Sequence, residues 1–109
     1  MTDHMTDQAK NYRGVHAVLY ALFDAQERVD AGAMAAQVDY CVAQGCHGIT
    51  VLGLATEVLK LGFDERAAMV ATVGRALDGR LPFSVTVAGN SVAEQTALAA
   101  RAAAAGADW

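Results

Sequence analysis

The sequence predicts an α/β fold made of three β/α units with parallel strands. Two observations lead to this prediction. Short apolar runs without strict alternation recur along the chain, and a segment with the period of an amphipathic helix follows each of them. Hydrophobic residues make up 54% of the 109 residues and charged residues 18%, which is enough apolar material for a packed core. The order β-α-β-α-β-α with short connections implies right-handed crossovers between parallel strands.

The first unit combines a buried strand with an amphipathic helix. Residues 14–20 form an apolar run that indicates a strand buried on both faces, with Tyr20 in the core. Asp30 is the expected N-cap of the following helix, and Gly45 is its expected C-terminal stop. Spacings of four, seven and eight residues predict one buried stripe on this helix: Met34, Val38, Cys41 and Val42.

The second and third units repeat this pattern. Residues 49–52 are rich in β-branched side chains and predict a second strand, and the next helix carries a stripe of Met69, Val70, Val73 and Leu77. Pro82 precedes a third strand predicted at residues 83–87, a position that proline tolerates. Ser91 and Glu94 form a capping-box pattern at the start of a third helix, which we expect to run to about Ala105.

Residues 106–109 follow this helix and are typical of a connection into a fourth strand. We therefore expect the chain to be the amino-terminal part of a longer domain. Pattern alone leaves two architectures open, an open doubly wound sheet and a closed barrel. A dinucleotide-binding sheet would carry closely spaced glycines in its first strand–helix turn, but residues 21–26 contain none, which disfavours that function.

Charge and composition narrow the classes of partner. The net charge is −4 and the eight Lys and Arg are scattered, so we expect no nucleic-acid partner. The longest fully apolar stretch, residues 17–23, is far shorter than the roughly 20 residues of a membrane helix. The amino terminus lacks the pattern of a signal peptide, which predicts a cytoplasmic protein. Polar residues 1–13 are expected to form a flexible arm, and residues 14–109 the domain.

The segment around the end of the second strand carries a recognisable motif. Residues 48–57 read Gly-Ile-Thr-Val-Leu-Gly-Leu-Ala-Thr-Glu and are followed by Leu61 and by Asp64-Glu65-Arg66. This resembles the signature of the dihydrodipicolinate synthase and N-acetylneuraminate lyase family, in which a strand ends in Gly-Thr-Thr-Gly-Glu before a leucine and a helix opening with Glu-Arg. Further agreement in order and spacing comes from Val29-Asp30, from residues 81–89 and from Gly106-Ala107-Asp108.

The resemblance implies a (β/α)8 TIM barrel of about 250 residues or more, of which this chain would supply the first three β/α units. It also implies class I aldolase chemistry, in which a lysine forms a Schiff base with pyruvate or a related small 2-oxo acid, without cofactor or metal. In the family, that lysine lies on the sixth strand and a proton-relaying tyrosine on the fifth. Both would fall after Trp109, so we expect no catalytic residue in this chain and no activity of the chain alone. Lys60 matches a non-catalytic position. The full-length protein is expected to be a homo-oligomer.

The implied substrate-binding loop departs from the family motif. Gly53 and Glu57 match it, whereas Leu54 and Ala55 stand where threonines are common and Thr56 where a glycine is usual. Backbone N–H groups of Leu54, Ala55 and Thr56 would still be able to bind a carboxylate, because they do not depend on side chains. A hydroxyl relay could not run as in the commoner members, which favours a divergent substrate.

Two other functional classes remain as alternatives. The chain could be a small non-catalytic α/β binding or assembly module that oligomerises to complete its sheet. A metal-dependent aldolase would need clustered ligands, and His4, His16 and His47 are too dispersed. The spacing of Cys41 and Cys46 is that of neither a redox nor a zinc pair, so we interpret them as structural.

Overall fold

A computed structural model of the chain describes residues 13–53, 56 and 60–109. It contains three strands and three helices in strict alternation. In chain order these are β1 (His16–Val18), α1 (Ala31–Ala43), β2 (Gly48–Val51), α2 (Phe63–Leu77), β3 (Phe83–Val85) and α3 (Val92–Ala104). No helix among the described residues is long and apolar enough to cross a membrane.

The three strands form one parallel sheet in the order β1-β2-β3, which confirms the predicted topology. Val18 is paired with Thr50, and Thr50 in turn with Ser84. Since sequential right-handed crossovers place successive helices on the same side, α1 packs against α2 and α2 against α3 over one face of the sheet. The fold is therefore a layer of helices on one face of a parallel sheet.

The core lies between the helices and that face. Strand residues on the side of the helices belong to it, together with Leu19 directly after β1; the strand residues are Ala17, Ile49, Val51, Phe83 and Val85. The predicted helical stripes are also confirmed: Met34, Val38, Met69, Val70 and Val73 are completely buried, and Leu77 and Cys41 nearly so. Val42 packs only partly buried against the same core.

The opposite face of the sheet carries mixed side chains. The hydroxyl oxygens of Thr50 and Ser84 lie 3.1 Å apart across β2 and β3. The expectation that β1 is buried on both faces is wrong for this chain, because Val18 on this face is 39% exposed. Tyr20 was expected in the core but is 63% exposed, since it lies beyond the end of β1, two residues after the last paired residue, Val18.

Local capping signals fix the helix ends. Asp30 caps α1 as predicted, with its Oδ1 accepting from the N–H of Ala33 at 2.9 Å. Ser91 Oγ likewise accepts from the N–H of Glu94 at 3.1 Å. The second hydrogen bond of the capping box, from the N–H of Ser91 to the side chain of Glu94, is shifted by one residue. Glu94 Oε1 accepts instead from the N–H of Asn90, at 3.2 Å.

Residues 107–109 continue the sheet beyond β3. The N–H of Asp108 donates to the carbonyl of Phe83 at 2.8 Å, and the N–H of Val85 donates to the carbonyl of Trp109 at 2.9 Å. The Trp109 indole meets the His16 imidazole edge-on, with 5.7 Å between ring centroids. This segment occupies the position expected of a fourth strand.

Candidate functional site

The candidate site lies where the three parallel strands end, at the carboxyl edge of the sheet. The matched motif begins at this edge, directly after β2. Of the five residues expected to bind substrate, the structure describes Gly53 and Thr56, whereas Leu54, Ala55 and Glu57 lie outside the described residues. The described part of the site consists of Gly53, Thr56 and the neighbouring loops after β1 and β3.

The backbone turns sharply at the end of β2. Leu52 has φ of 65°, in the left-handed region that a bulky side chain adopts only at a cost of about 1–3 kcal/mol. Its side chain is completely buried, and this burial holds the residue in that conformation. Gly53 then passes close to β1, so that a Cβ at this position would lie 2.8 Å from Cγ1 of Val18. Glycine at the first motif position is thus explained by the close approach of β2 to β1.

Thr56 ties this turn to the end of β1. Its N–H donates to the carbonyl of Gly53 at 3.1 Å, and its hydroxyl donates to the carbonyl of Leu19. The side chain is 1% exposed. The hydroxyl that stands one position beyond the usual motif threonines is therefore used to hold the loop in place.

Polar side chains from the helices fix the other loops at this edge. The side-chain amide of Gln37 on α1 accepts from the N–H of Tyr20 at 2.8 Å and donates to the carbonyl of Tyr20 at 3.0 Å. On α3, Gln95 Nε2 donates to the carbonyl of Gly89 at 3.2 Å. Each of these two loops is thus fixed to a helix through its backbone.

Arg66 on α2 connects the loop after β2 with the segment after β3. Its Nε donates to the carbonyl of Leu61 at 3.0 Å, and its Nη1 donates to the carbonyl of Ala88 at 2.6 Å. The residue is 8% exposed, so a guanidinium charge is largely buried against backbone carbonyls. Sequence reasoning noted Arg66 as part of the motif but did not anticipate this contact. An arginine at the start of a helix, immediately after an acidic pair, was the available signal.

The described residues at this edge offer backbone groups and few reactive side chains. Lys60 is exposed, and Asn90 and Ser91 are used at the start of α3. A cavity of about 440 Å³ lies at the opposite, amino edge of the strands and is lined by Cys46, His47, Arg80 and Pro82 among others. It is remote from the motif.

Comparison with known proteins identifies the family. The sequence model of the dihydrodipicolinate synthetase family matches residues 11–109. The 4-hydroxy-tetrahydrodipicolinate synthase of Pseudomonas putida (strain W619) is 32% identical over 95 residues, covering 87% of this chain and 32% of that protein. The N-acetylneuraminate lyase of Escherichia coli O1:K1 / APEC is 32% identical over 94 residues, covering 86% of this chain and 32% of that protein. The chain spans about a third of the length of these relatives.

Solved structures agree with this assignment. A prophage protein of the dihydrodipicolinic acid synthase family from Escherichia coli K12, in complex with pyruvate, superimposes with a TM-score of 0.83 at 29% identity over 89% of this chain and 33% of its own. A catalytic lysine mutant of Ruminococcus gnavus sialic acid aldolase gives a TM-score of 0.85 at 26% identity over 89% of this chain and 32% of its own. These neighbours are TIM-barrel proteins. The family match runs from residue 11 to Trp109, and the chain therefore belongs to the dihydrodipicolinate synthetase family.

Proposed function

We propose that the chain forms the first three β/α units of a TIM-barrel lyase or synthase that makes a Schiff base with pyruvate or a related 2-oxo acid. The observation that carries the proposal is the position of the motif turn. It lies at the carboxyl edge of the strands, where TIM-barrel enzymes have their active sites, and Thr56 anchors it to β1. The similar prophage protein binds pyruvate.

In this proposal the motif loop binds the carboxylate of the substrate through backbone N–H groups. Leu54 and Ala55 supply these groups, and Gly53 and Glu57 lie on either side of them in the loop. The N–H of Thr56, which the sequence also predicted to take part, instead donates to the carbonyl of Gly53. Because the Thr56 hydroxyl donates to the carbonyl of Leu19 and is buried, it does not relay protons. The substrate accordingly differs from that of family members that have two threonines in this loop.

The 109 residues alone are proposed to be catalytically inactive. Lys10 and Lys60 are the two lysines of the sequence. Lys10 lies in the arm expected from the sequence, and Lys60 is exposed at a motif position that is not catalytic in the family. A lysine that forms a Schiff base has to be partly desolvated or placed beside another cation, so that its amine loses a proton near neutral pH. The lysine and tyrosine of the reaction would be supplied by a sequence following Trp109.

A hybrid protein tests this proposal. Residues 11–109 would replace the matching segment of the Pseudomonas putida synthase, and the hybrid and the isolated chain would each be incubated with pyruvate and borohydride before mass spectrometry. We expect one trapped adduct, on a lysine of the hybrid that comes from the synthase, and none on the isolated chain. A Gly53→Val hybrid should lose the adduct because the new side chain meets Val18, whereas a Gly32→Ala hybrid should keep it.

Two results would contradict the proposal. An adduct on Lys60 or Lys10 of the isolated chain would show that the chain has its own Schiff-base lysine. A folded hybrid that forms no adduct would show that these three units do not make a site for a 2-oxo acid.

A second candidate function is a non-catalytic module that assembles with copies of itself. Apolar side chains exposed at and beyond the end of β1 favour it, since Val18 is 39% and Tyr20 is 63% exposed. Sedimentation of the purified chain separates the two candidates: one oligomer of defined size would favour the module, and undefined aggregates would favour a part of a larger barrel.

A further inference from the structure

The carboxyl end of α1 brings the two cysteines of the chain together. The N–H of Cys46 donates to the carbonyl of Cys41 at 3.1 Å, and the N–H of Gly45 donates to the carbonyl of Val42 at 3.2 Å. Gly45 has φ of 85°, which completes a Schellman motif. In this motif the side chains of the first and last residues contact each other, usually as an apolar pair. Here both residues of that pair are cysteines.

The two thiols differ in access to solvent. Cys41 is 9% exposed and belongs to the core, whereas Cys46 is half-buried and lines the open cavity of about 440 Å³ at the amino edge of the strands. Burial raises the pKa of the Cys41 thiol, and the neighbouring Cys46 raises that pKa further. Cys46 is therefore the thiol that a small oxidant in the cavity reaches first, with Cys41 directly behind it.

We propose that Cys41 and Cys46 are an oxidation site that closes an intramolecular disulfide when the chain meets a peroxide. The Cys46 thiolate attacks one oxygen of hydrogen peroxide, giving a sulfenic acid and, after protonation, one water. The sulfur of Cys41 then attacks the sulfenic sulfur, its proton leaves with the departing hydroxide as a second water, and the S–S bond forms. Two thiols are oxidised and one peroxide is reduced to two waters.

The backbone geometry suits this bond. Cysteines joined by a disulfide have Cα atoms about 4.4–6.8 Å apart, a range that the direct hydrogen bond between Cys46 N–H and the Cys41 carbonyl keeps within reach. The cross-link would also stabilise the start of the sheet. His47, the next residue, donates its N–H to the carbonyl of Val15 at 2.7 Å and accepts at Nδ1 from the N–H of Val15 at 2.9 Å.

This site is independent of the proposed aldolase function, because it lies at the opposite edge of the strands from the motif turn. Its test is the equilibrium between the dithiol and the disulfide in glutathione buffers, read by mass spectrometry after alkylation. A linear peptide with the same spacing can also form the bond, so the measurement compares native buffer with denaturing urea.

We expect the equilibrium constant for disulfide formation to be at least about tenfold higher in buffer than in urea, a difference of about 30 mV in reduction potential. Gly45→Val should remove most of this difference, because valine does not adopt the left-handed conformation of the motif. Gly79→Val is the matched control, since Gly79 has φ of 76° and open space around it, and it lines the same cavity as Cys46 but takes no part in the Schellman motif of α1. It should retain the difference.

Peroxide supplies the second measurement. Limited peroxide should yield a monomer with the intramolecular disulfide between Cys41 and Cys46. A Cys41→Ala chain should instead accumulate sulfenic acid on Cys46. Equal constants in buffer and urea would overturn the proposal, as would peroxide oxidation that gives only cross-links between two chains.

Discussion

Replacing Gly74 by alanine tests how closely α2 and α3 are packed. A Cβ on Gly74 would lie 2.6 Å from the carbonyl oxygen of Ala105 and 3.0 Å from its Cβ. A carbon and a carbonyl oxygen normally approach to about 3.3 Å, so the end of α3 must move by roughly 0.7 Å. Both atoms are held near the backbone of α3, so no flexible side chain absorbs this shift.

Two opposing effects decide whether Gly74→Ala raises or lowers the free energy of unfolding. Alanine in place of glycine within a helix stabilises by about 1 kcal/mol through conformational entropy. Overpacking a close contact costs about 1–3 kcal/mol. We therefore expect Gly74→Ala to lower the free energy of unfolding by about 1 kcal/mol, which corresponds to roughly 4–8 °C in Tm for a domain of this size.

Gly32→Ala is the matched control. Gly32 also lies within a helix, is exposed, and its Cβ would meet nothing closer than Asp30 Oδ1 at 3.5 Å. This substitution should raise the free energy of unfolding by about 0.4–1 kcal/mol. Urea unfolding followed by circular dichroism at low micromolar concentration measures both variants. If Gly74→Ala were as stable as Gly32→Ala, the helices would separate at no cost and the reasoning would be refuted.

Three further predictions concern caps, the motif turn and pH. Asp30→Ala should lower the free energy of unfolding by about 1 kcal/mol, since the N–H of Ala33 loses its acceptor, whereas Asp30→Asn should restore most of it. Thr56→Val should cost about 1–3 kcal/mol in urea unfolding by leaving the buried carbonyl of Leu19 without this donor. Thr56→Ser should cost only about 0.8 kcal/mol for the lost methyl group. Asp24→Asn should change how the free energy of unfolding depends on pH in the acidic range.

The sign of the pH effect follows from the hydrogen bonds of Asp24. The backbone N–H of Arg28 donates to its carboxylate and, with the N–H of Gln26 and the Arg28 charge, lowers the pKa of Asp24 from its ordinary 3.8, against the opposing effect of desolvation. A carboxylate whose pKa is lower in the folded state stabilises the fold at pH values above its pKa in the unfolded chain. This stabilisation is lost as the pH falls through its pKa in the folded state. The stability gap between wild type and Asp24→Asn should therefore shrink below about pH 4.

Each of these predictions has an outcome that contradicts it. Equal stability of Asp30→Ala and Asp30→Asn would exclude the cap as the cause. A Thr56→Val chain more stable than Thr56→Ser would show that the hydroxyl contributes less than the methyl group. A gap for Asp24→Asn that does not change with pH would assign its effect to packing.

The sequence predicts those parts of the fold that depend on near neighbours in the chain. Asp30 and Ser91 cap helices because each accepts from an N–H three residues on. The buried stripes follow from helical periodicity, and the strand order follows from short crossovers. The third strand was expected to reach residue 87 but ends at Val85, because a strand ends where its partner stops pairing.

Contacts between distant residues lie outside such reasoning. Tyr20 looked like a core residue in an apolar run, yet Gln37 holds its backbone while its ring is exposed. The use of the Thr56 hydroxyl depends on Leu19, 37 residues earlier. The motif locates the candidate site in the sequence. That the Thr56 hydroxyl donates to the carbonyl of Leu19 is visible only in the structure.

The packing of each helix against its immediate neighbour has a consequence for how the chain forms. Since α1 packs on α2 and α2 on α3, every unit can bury its apolar face as soon as the next one has been synthesised. The parallel strand pairs join residues far apart in the chain, such as Val18 with Thr50 and Thr50 with Ser84, so they form more slowly than contacts between near neighbours. We therefore expect each unit to dock on the one before it during synthesis, so that the order of assembly follows the order of the chain.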